Sequence, residues 1–219
     1  MHLLRVTLLI FVLAMLAGVK AAADPPTGPD SDVPCGMDLV GTTLGVADPR
    51  GSFTITIRDI AHNPVVGIDV SIDFSGCPDI RIAQVQPWPG IRVECNGGPI
   101  VHGTTDEHGS IDFRIVGSAT NIATGTPGGG FRCAVVRVDP AYGGNLGTMN
   151  VAAFDENGVG GLNPADISVW LPDAFAFPQA YVGRSDFNCT NSINPADLAM
   201  LLNASLGSGS THSGSPYCQ

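Results

Sequence analysis

The sequence contains almost no lysine and few aromatic residues. Its one lysine is Lys20, close to the amino terminus, and Phe, Trp and Tyr together make up 6% of the 219 residues. Acidic residues outnumber basic ones by 20 to 10, which gives a formal net charge of −10. Such a surface repels nucleic acids and anionic membranes, so we expect neither as a partner.

Long hydrophobic runs are missing beyond residue 23. The one long run, Val6–Val19, is shorter than the roughly 18 residues that a membrane-spanning helix needs. It follows Arg5 and precedes three alanines at 21–23, a pattern typical of a secretory signal peptide. We therefore expect residues 1–23 to be removed and the mature protein to be secreted, with no membrane span and a net charge of −12.

Motifs that carry common catalytic chemistry are also missing. The chain has no Gly-x-Ser-x-Gly, no His-Glu-x-x-His and no phosphate-binding loop. His102 and His108 could share a metal with Asp106 and Glu107, but a solvated hairpin loop explains this cluster more simply. We expect a protein that is not an enzyme.

The chain does contain an internal repeat of twelve residues near its carboxyl end. Asp155–Asp166 returns 31 residues later as Asp186–Asp197, and both copies share Asp-x-Asn at the start and Asn-Pro-Ala-Asp at the end. Ca²⁺ takes 6–8 oxygen ligands, which a 12-residue loop can supply from positions 1, 3, 5, 7, 9 and 12. The repeat therefore predicts two Ca²⁺ loops.

The second loop offers the more complete set of ligands. All its ligand positions carry side-chain oxygens, whereas position 5 of the first loop is Val159. We expect weak binding, with a dissociation constant of about 10⁻⁴–10⁻³ M, as in extracellular modules. The predicted ligands are Asp155, Asn157, Gly161, Asn163 and Asp166 in the first loop, and Asp186, Asn188, Thr190, Ser192, Asn194 and Asp197 in the second.

Each loop also ends with a helix start. Asn is a good N-cap and Pro is favoured at the first helical position, so Asn-Pro-Ala-Asp predicts a helix after each loop. We expect the first helix to end or kink at Pro172 and the second to run to Leu206. By its spacing, Glu156 should point outward, while Leu162 should pair with Ile193 of the other loop.

This layout resembles a type I dockerin, a pair of Ca²⁺ loop-helix motifs with Asp at position 12. Residues 155–206 match it, and Tyr181–Asn188 is similar to the lead-in to the second repeat in dockerin-like tails of secreted bacterial proteins. The resemblance implies docking to a cohesin-like protein or a cell-surface component, often in the service of polysaccharide degradation. Two alternatives stay open: a structural clasp without a partner, and a polysaccharide-binding or polysaccharide-degrading accessory protein.

The residues before the repeat carry the alternating pattern of β-strands. Hydrophobic residues alternate with polar ones at 53–57, 68–74 and 111–115. About seven short strands, separated by Gly, Pro, Asn and Asp, predict a mainly β fold, an antiparallel β-sandwich. Further strands are predicted at 80–85, 91–95, 131–138 and 147–154. The sandwich is expected to span residues 35–154, with a linker before it at 24–34 and a Gly/Ser-rich tail at 207–219.

Two segments of this region are similar to bacterial immunoglobulin-like domains of the invasin type. Asn63–Phe74 resembles their Pro-Val-x-Gly-x-x-Val strand, and Thr105–Phe113 resembles their Thr-Asp-x-x-Gly-x-x-x-Phe hairpin. The resemblance implies an immunoglobulin-like sandwich. Because the predicted strand 147–154 runs directly into Asp155, we expect the loop-helix pair to pack against this sandwich.

Six cysteines and two tryptophans complete the set of informative residues. An even number of cysteines in an exported chain favours disulfides, and no Cys-x-x-Cys pair supports a zinc site. Trp170 is predicted in the helix core, whereas Trp88 is either an exposed sugar platform or a plug at the end of the sandwich. The predicted disulfides are Cys77–Cys95, Cys189–Cys218 and, by elimination, Cys35–Cys133.

Overall fold

Twelve strands followed by two helices make up the described part of the chain, which is mainly β, as predicted. The computed structural model describes residues 25–120, 125–126, 128–139, 144–175, 182–206, 214 and 216–218, so the predicted signal peptide lies outside the described residues. Within these ranges, no helix has the length and apolarity needed to cross a membrane.

The strands are short, and the two helices come last. Strands β1 to β6 are Gly36–Leu39, Thr42–Thr43, Val46–Ala47, Ser52–Thr56, Asp69–Asp73 and Ile80–Ile82. Strands β7 to β12 are Arg92–Glu94, Ile100–Thr104, Ser110–Arg114, Gly117–Ala119, Ala134–Val138 and Asn145–Ala153. Helix α1 is Pro164–Phe175, helix α2 is Pro195–Leu206, and two short 3-10 helices are Pro49–Gly51 and Gly183–Ser185.

Six strands form the main sheet, in the order β1-β12-β11-β5-β8-β7. Its pairs are antiparallel except for β1 and β12, which run parallel with Gly36 opposite Asn150. The prediction of a purely antiparallel arrangement is therefore wrong at β1. A parallel pair needs a long connection, and nearly the whole β region separates these two strands. Separate pairs are formed by β4 with β9, β6 with β10, and β2 with β3.

The main core contains side chains from both the six-stranded sheet and the β4–β9 pair. Ile55 and Phe113 of that pair are buried in one cluster with Ile72, Val136 and Met149 of the sheet. Alternation in β4, β5 and β9 supplies these residues, as the sequence predicted. Burying a large aliphatic or aromatic side chain contributes about 1.5–3 kcal/mol, so this cluster is the main source of stability.

Strand β8 escaped the sequence prediction because glycine replaces one of its inward hydrophobic residues. It buries Val101 and Gly103 on the core side. A side chain at Gly103 would bring its Cβ to 2.0 Å from Cδ1 of Ile111, so Ile111 would have to move to make room for it. A strand with one large apolar residue on its core side lacks the alternating pattern by which strands are found.

The disulfides differ from all three predicted pairs. The predicted Cys77–Cys95 bridge is wrong, because β5 pairs with β11 and this brings Cys77, which follows β5, to Cys133, which precedes β11. The predicted Cys189–Cys218 and Cys35–Cys133 bridges are wrong because Cys218 and Cys133 are bonded to Cys95 and Cys77. The observed bridges are Cys77–Cys133 and Cys95–Cys218, and the free thiols of the described residues are Cys35 and Cys189.

The stretches predicted as a linker and a tail both contact the strands. Asp32 and Thr56 exchange backbone hydrogen bonds of 2.8 and 3.1 Å, and the Cys218 N–H donates to the Ile82 carbonyl at 2.9 Å. These stretches are therefore joined to the β region along part of their length.

A second core joins the loops and helices to the sheet. Phe154, directly after β12, stacks on Phe187 with ring centroids 4.8 Å apart. Trp170 is buried in this cluster, as predicted, and its Nε1 donates to the Ser185 carbonyl at 3.2 Å. Leu162 and Ile193 enter the same cluster. The loop-helix pair thus packs against the sheet.

Candidate metal centre

The first loop folds around its two aspartates. Asp166, at position 12, accepts hydrogen bonds from the backbone N–H groups of Asn157 at 3.0 Å and Asn163 at 2.7 Å. Asp155, at position 1, accepts one from the Val159 N–H at 3.2 Å. The side-chain amide of Asn163 also donates to the Gly161 carbonyl at 2.6 Å, which ties position 9 to position 7.

The second loop repeats these bonds at the same positions. Asp197 accepts from the N–H groups of Asn188 at 3.2 Å and Asn194 at 2.9 Å, and Asp186 accepts from the Thr190 N–H at 3.1 Å. The carboxylates at positions 1 and 12 therefore share these backbone partners in both copies, and Asp186 Oδ2 accepts one further bond from the Asn191 N–H at 2.8 Å. The structure brings each predicted set of aspartates and asparagines together within one loop.

Only the second loop has hydroxyl groups at ligand positions. Thr190 Oγ1 lies 3.1 Å from Ser192 Oγ, so positions 5 and 7 bring two oxygens close together. The first loop has the exposed Val159 at position 5 and a glycine at position 7. The second loop therefore keeps the fuller oxygen set that the sequence indicates.

Each loop ends in a capped helix, as predicted. The side-chain oxygen of Asn163 accepts from the Ala165 N–H at 2.9 Å, and that of Asn194 accepts from the Ala196 N–H at 2.9 Å. This is the bond by which an N-cap residue satisfies one of the free N–H groups at a helix start. The aspartates at position 12 lie in the first helical turn, where a negative charge is favoured.

Helix α1 continues past Pro172, so of the two predicted outcomes, an end or a kink at that residue, the end is wrong. The helix runs to Phe175. Asp173, the next residue, is buried and accepts hydrogen bonds from Arg184 Nε at 2.9 Å and from the Gly125 N–H at 2.8 Å. These contacts hold the last turn in place although proline removes one helical hydrogen bond.

Positions 4 and 6 of both loops adopt left-handed backbone. Gly158 and Gly160 have φ of 65° and 78°, while Cys189 and Asn191 have φ of 56° and 60°. The turn at position 6 is the one that the sequence predicts. Position 4 is additional, and there the second loop has a residue with a Cβ where the first has glycine.

The loop carboxylates are buried, which is costly for negative charge. Burial raises the pKa of Asp166 to about 7, with a further contribution from nearby Asp155. Burial, reinforced by Asp186, also raises the pKa of Asp197. Among the described residues, Oδ2 of Asp155 is buried and has no hydrogen-bond partner. A buried anionic oxygen of this kind requires a cation or a proton.

A third carboxylate near the second loop was missed by the sequence analysis. Asp38, on β1, has its pKa raised to about 8, first by burial and then by Asp186 and Asp197. Asp38 is far from these residues in the sequence and belongs to an alternating strand. Only the parallel pairing of β1 with β12 brings it to the loop, so no local pattern could have identified it.

Glu156 is buried, and the expectation that it points outward is wrong. Its Oε2 lies 3.3 Å from Nε of Arg184, which also contacts Asp173, and all three side chains are fully buried. Burial raises the pKa of Glu156 well above its usual range, partly offset by the arginine. Arg184 precedes the second loop, so this cluster links the first loop, helix α1 and the second loop. Loop spacing alone cannot reveal it.

The donor set of the loops fits Ca²⁺ better than it fits a transition metal. Among the residues that the structure describes, no group of three or more His, Cys, Asp and Glu side chains could hold a metal ion. Each loop instead offers two carboxylates together with amide, hydroxyl and carbonyl oxygens, which are hard ligands of the kind Ca²⁺ prefers. The unpartnered oxygen of Asp155 is consistent with such an ion.

The other candidates from the sequence have partners of their own. His102 Nδ1 lies 2.8 Å from Asp69, whereas His108 contacts Glu107 at 3.7 Å. Trp88 is half-buried, and the guanidinium carbon of Arg114 lies 4.1 Å from its ring centroid. One face of the predicted sugar platform therefore contacts a cation.

Comparisons with family models, with curated proteins and with solved structures found no match to this chain.

Proposed function

We propose that residues 155–206 form a dockerin-like pair of Ca²⁺ loops, attached to an immunoglobulin-like β-sandwich in an exported protein that serves adhesion or assembly. The observation that supports this most directly is the repetition of the carboxylate–backbone hydrogen bonds at positions 1 and 12. Two sequences that differ at most other positions fold in the same way around their aspartates.

In this proposal, Ca²⁺ supplies the positive charge that the buried loop carboxylates lack. Two ions would be held, one by the five predicted ligands of the first loop and one by the six of the second, with Asp38 as an additional carboxylate near the second loop. Charge neutralisation would fix the two capped helix starts. A module of about 50 residues has a marginal core, so metal binding should contribute to its folding.

An immunoglobulin-like sandwich is supported by the way in which the strands share a core. The six-stranded sheet and the β4–β9 pair contribute to one buried cluster. The strand that resembles the Pro-Val-x-Gly-x-x-Val segment is β5. The predicted hairpin at 105–113 is wrong, because this segment joins β8 of the main sheet to β9, which pairs with β4 and not with β8. Such domains commonly serve as spacers or binding modules, which is an analogy at the level of the fold.

A docking role is supported by an exposed apolar pair on helix α1. Leu171 and Phe175 are 41% and 77% exposed and lie four residues apart, so they share one helix face. A cohesin-like protein or a cell-surface component could cover them. The alternative, a structural clasp without a partner, is supported by the stacking of Phe154 on Phe187 and by the shared second core.

Calcium binding is tested by calorimetric titration of the metal-free protein. We expect two binding events in the wild type and loss of the stronger one in Asp186→Ala/Asp197→Ala, because both carboxylates of the second loop are removed. Glu107→Ala, an exposed carboxylate outside the loops, is the matched control and should bind normally. Unchanged binding in the double variant would refute the ligand assignment.

Docking is tested by a pull-down from the secreted fraction of the source. We expect a partner that is retained with Ca²⁺, released by chelator, and lost in Leu171→Ser/Phe175→Ser although Ca²⁺ binding persists. If Ca²⁺ binds but nothing is retained, the structural clasp is the better description.

A further inference from the structure

The two free cysteines lie side by side although they are far apart in the sequence. Cys35 directly precedes β1, and Cys189 occupies position 4 of the second loop. Both residues line one small cleft, together with Gly36 and Asn150. Sγ of Cys189 would lie 3.1 Å from a Cβ placed on Gly36, the residue next to Cys35.

One buried residue, Asn150, contacts both cysteines, one through its backbone and the other through its side chain. The Asn150 N–H donates to the Cys35 carbonyl at 2.9 Å, and its side-chain amide donates to Cys189 Sγ at 3.5 Å. The same amide donates to Asn191 Oδ1 at 3.3 Å. Because Asn150 belongs to β12, the sheet keeps the amino-terminal cysteine and the second loop together.

The backbone at Cys189 adopts a conformation that favours glycine. Its φ of 56° lies in the left-handed region, where the first loop uses Gly158 with φ of 65°. Glycine adopts this conformation without steric cost, whereas a residue with a Cβ is strained. A strained residue is kept where the surrounding structure or its function requires that side chain.

We propose that Cys35 and Cys189 form a third disulfide, which ties the second loop to β1. The other four cysteines are already bridged, and disulfides persist in oxidising surroundings. The oxidant is a low-molecular-weight disulfide. One cysteine thiolate attacks this oxidant, forms a mixed disulfide with one half of it and releases the other half as a thiol. The second cysteine thiolate then attacks the cysteine sulfur of the mixed disulfide and releases the remaining half, which leaves one protein disulfide and two thiol molecules from the oxidant.

This bridge would also act on metal binding, an extension that rests on the proposed Ca²⁺ function. A covalent tie restrains the second loop before the ion arrives, so less order has to be gained on binding. By thermodynamic reciprocity, bound Ca²⁺ would in turn favour formation of the bridge.

The disulfide is tested by peptide mapping of the full chain under non-reducing conditions. The metal-free protein is incubated with oxidised glutathione and then labelled with a maleimide. We expect a cross-linked peptide pair containing Cys35 and Cys189, with Cys77–Cys133 and Cys95–Cys218 found in the same digest as internal controls. Two labelled thiols, or separate glutathione adducts on Cys35 and Cys189, would overturn the proposal.

The effect of the bridge on Ca²⁺ affinity is tested with two variants. Cys35→Ser changes an exposed residue outside the loop, and Cys189→Gly introduces the residue that the first loop has at the same position. We expect the second site of either variant to bind at least about fivefold more weakly than the oxidised wild type. Equal affinities would refute the coupling. An absence of Ca²⁺ binding in all forms would refute the proposed function, while the peptide map alone decides the disulfide.

Discussion

At the scale of single residues, the aspartate at position 12 connects each loop to its helix. Asp166 accepts backbone hydrogen bonds from positions 3 and 9, and it also lies in the first turn of α1. A residue with this many contacts should matter even without metal.

The first prediction concerns Asp166. In metal-free protein, we expect Asp166→Ala to lower the free energy of unfolding by about 1–3 kcal/mol, because two partly buried N–H groups lose their acceptor. Asp166→Asn keeps one acceptor oxygen and should cost less. Urea unfolding with Glu107→Ala as control provides the measurement, and equal effects of the alanine and asparagine variants would contradict it.

The second prediction concerns Arg184. Arg184→Met leaves Glu156 and Asp173 buried with no cation beside them, and breaking a buried ion pair in this way costs about 3–5 kcal/mol. Arg92→Met removes an exposed ion pair with Asp69 and should cost less than about 1 kcal/mol. Urea unfolding of the two variants compares them directly; similar losses would show that the buried cluster contributes little.

At the scale of elements, local patterns were predictable and long-range partners were not. The two loops, their helix caps and strands β4, β5 and β9 follow from spacing within a dozen residues. The position of Asp38 and the pairing of the bridged cysteines depend on which strands are neighbours, as when β5 and β11 bring Cys77 to Cys133. The contacts of Arg184 depend on how the first loop, α1 and the second loop pack together. Pro172 shows the reverse case, in which tertiary contacts override a strong local preference.

The third prediction concerns the loop-helix pair as a unit. We expect removal of Ca²⁺ to increase hydrogen exchange throughout 155–206, most of all at the N–H groups that donate to loop carboxylates, because their acceptors repel one another without the ion. Strands β5, β8 and β11 should keep their protection, since the main core does not depend on the loops. Hydrogen-exchange mass spectrometry with and without Ca²⁺ gives the comparison; identical protection of 155–206 in both states would contradict it.

At the scale of the whole molecule, carboxyl groups with raised pKa values set the stability of the metal-free protein. The pKa of Asp38 is about 8 and that of Asp166 about 7, and those of Glu156 and Asp197 are also raised. The folded state holds these protons more tightly than the unfolded state. Their contribution is therefore complete below the unfolded pKa of about 4 and is lost as pH rises through 7 to 8.

The fourth prediction concerns this loss of stability with rising pH. We expect the thermal midpoint of metal-free protein to fall between pH 5 and pH 8, and added Ca²⁺ to reduce or reverse the fall, because the ion binds the ionised carboxylates. Calorimetric scans in metal-free buffers, with and without Ca²⁺, provide the measurement. A midpoint that is flat or rises with pH in the metal-free protein would contradict it.

The parallel pairing of β1 with β12 also has a consequence for biosynthesis. The first strand of the main sheet has no partner until residues 150–153 have left the ribosome, since those residues supply its register. Contacts between such distant segments give a high contact order, which slows folding. During most of translation, β1 should therefore stay without its partner strand, and it should join the sheet only when β12 emerges.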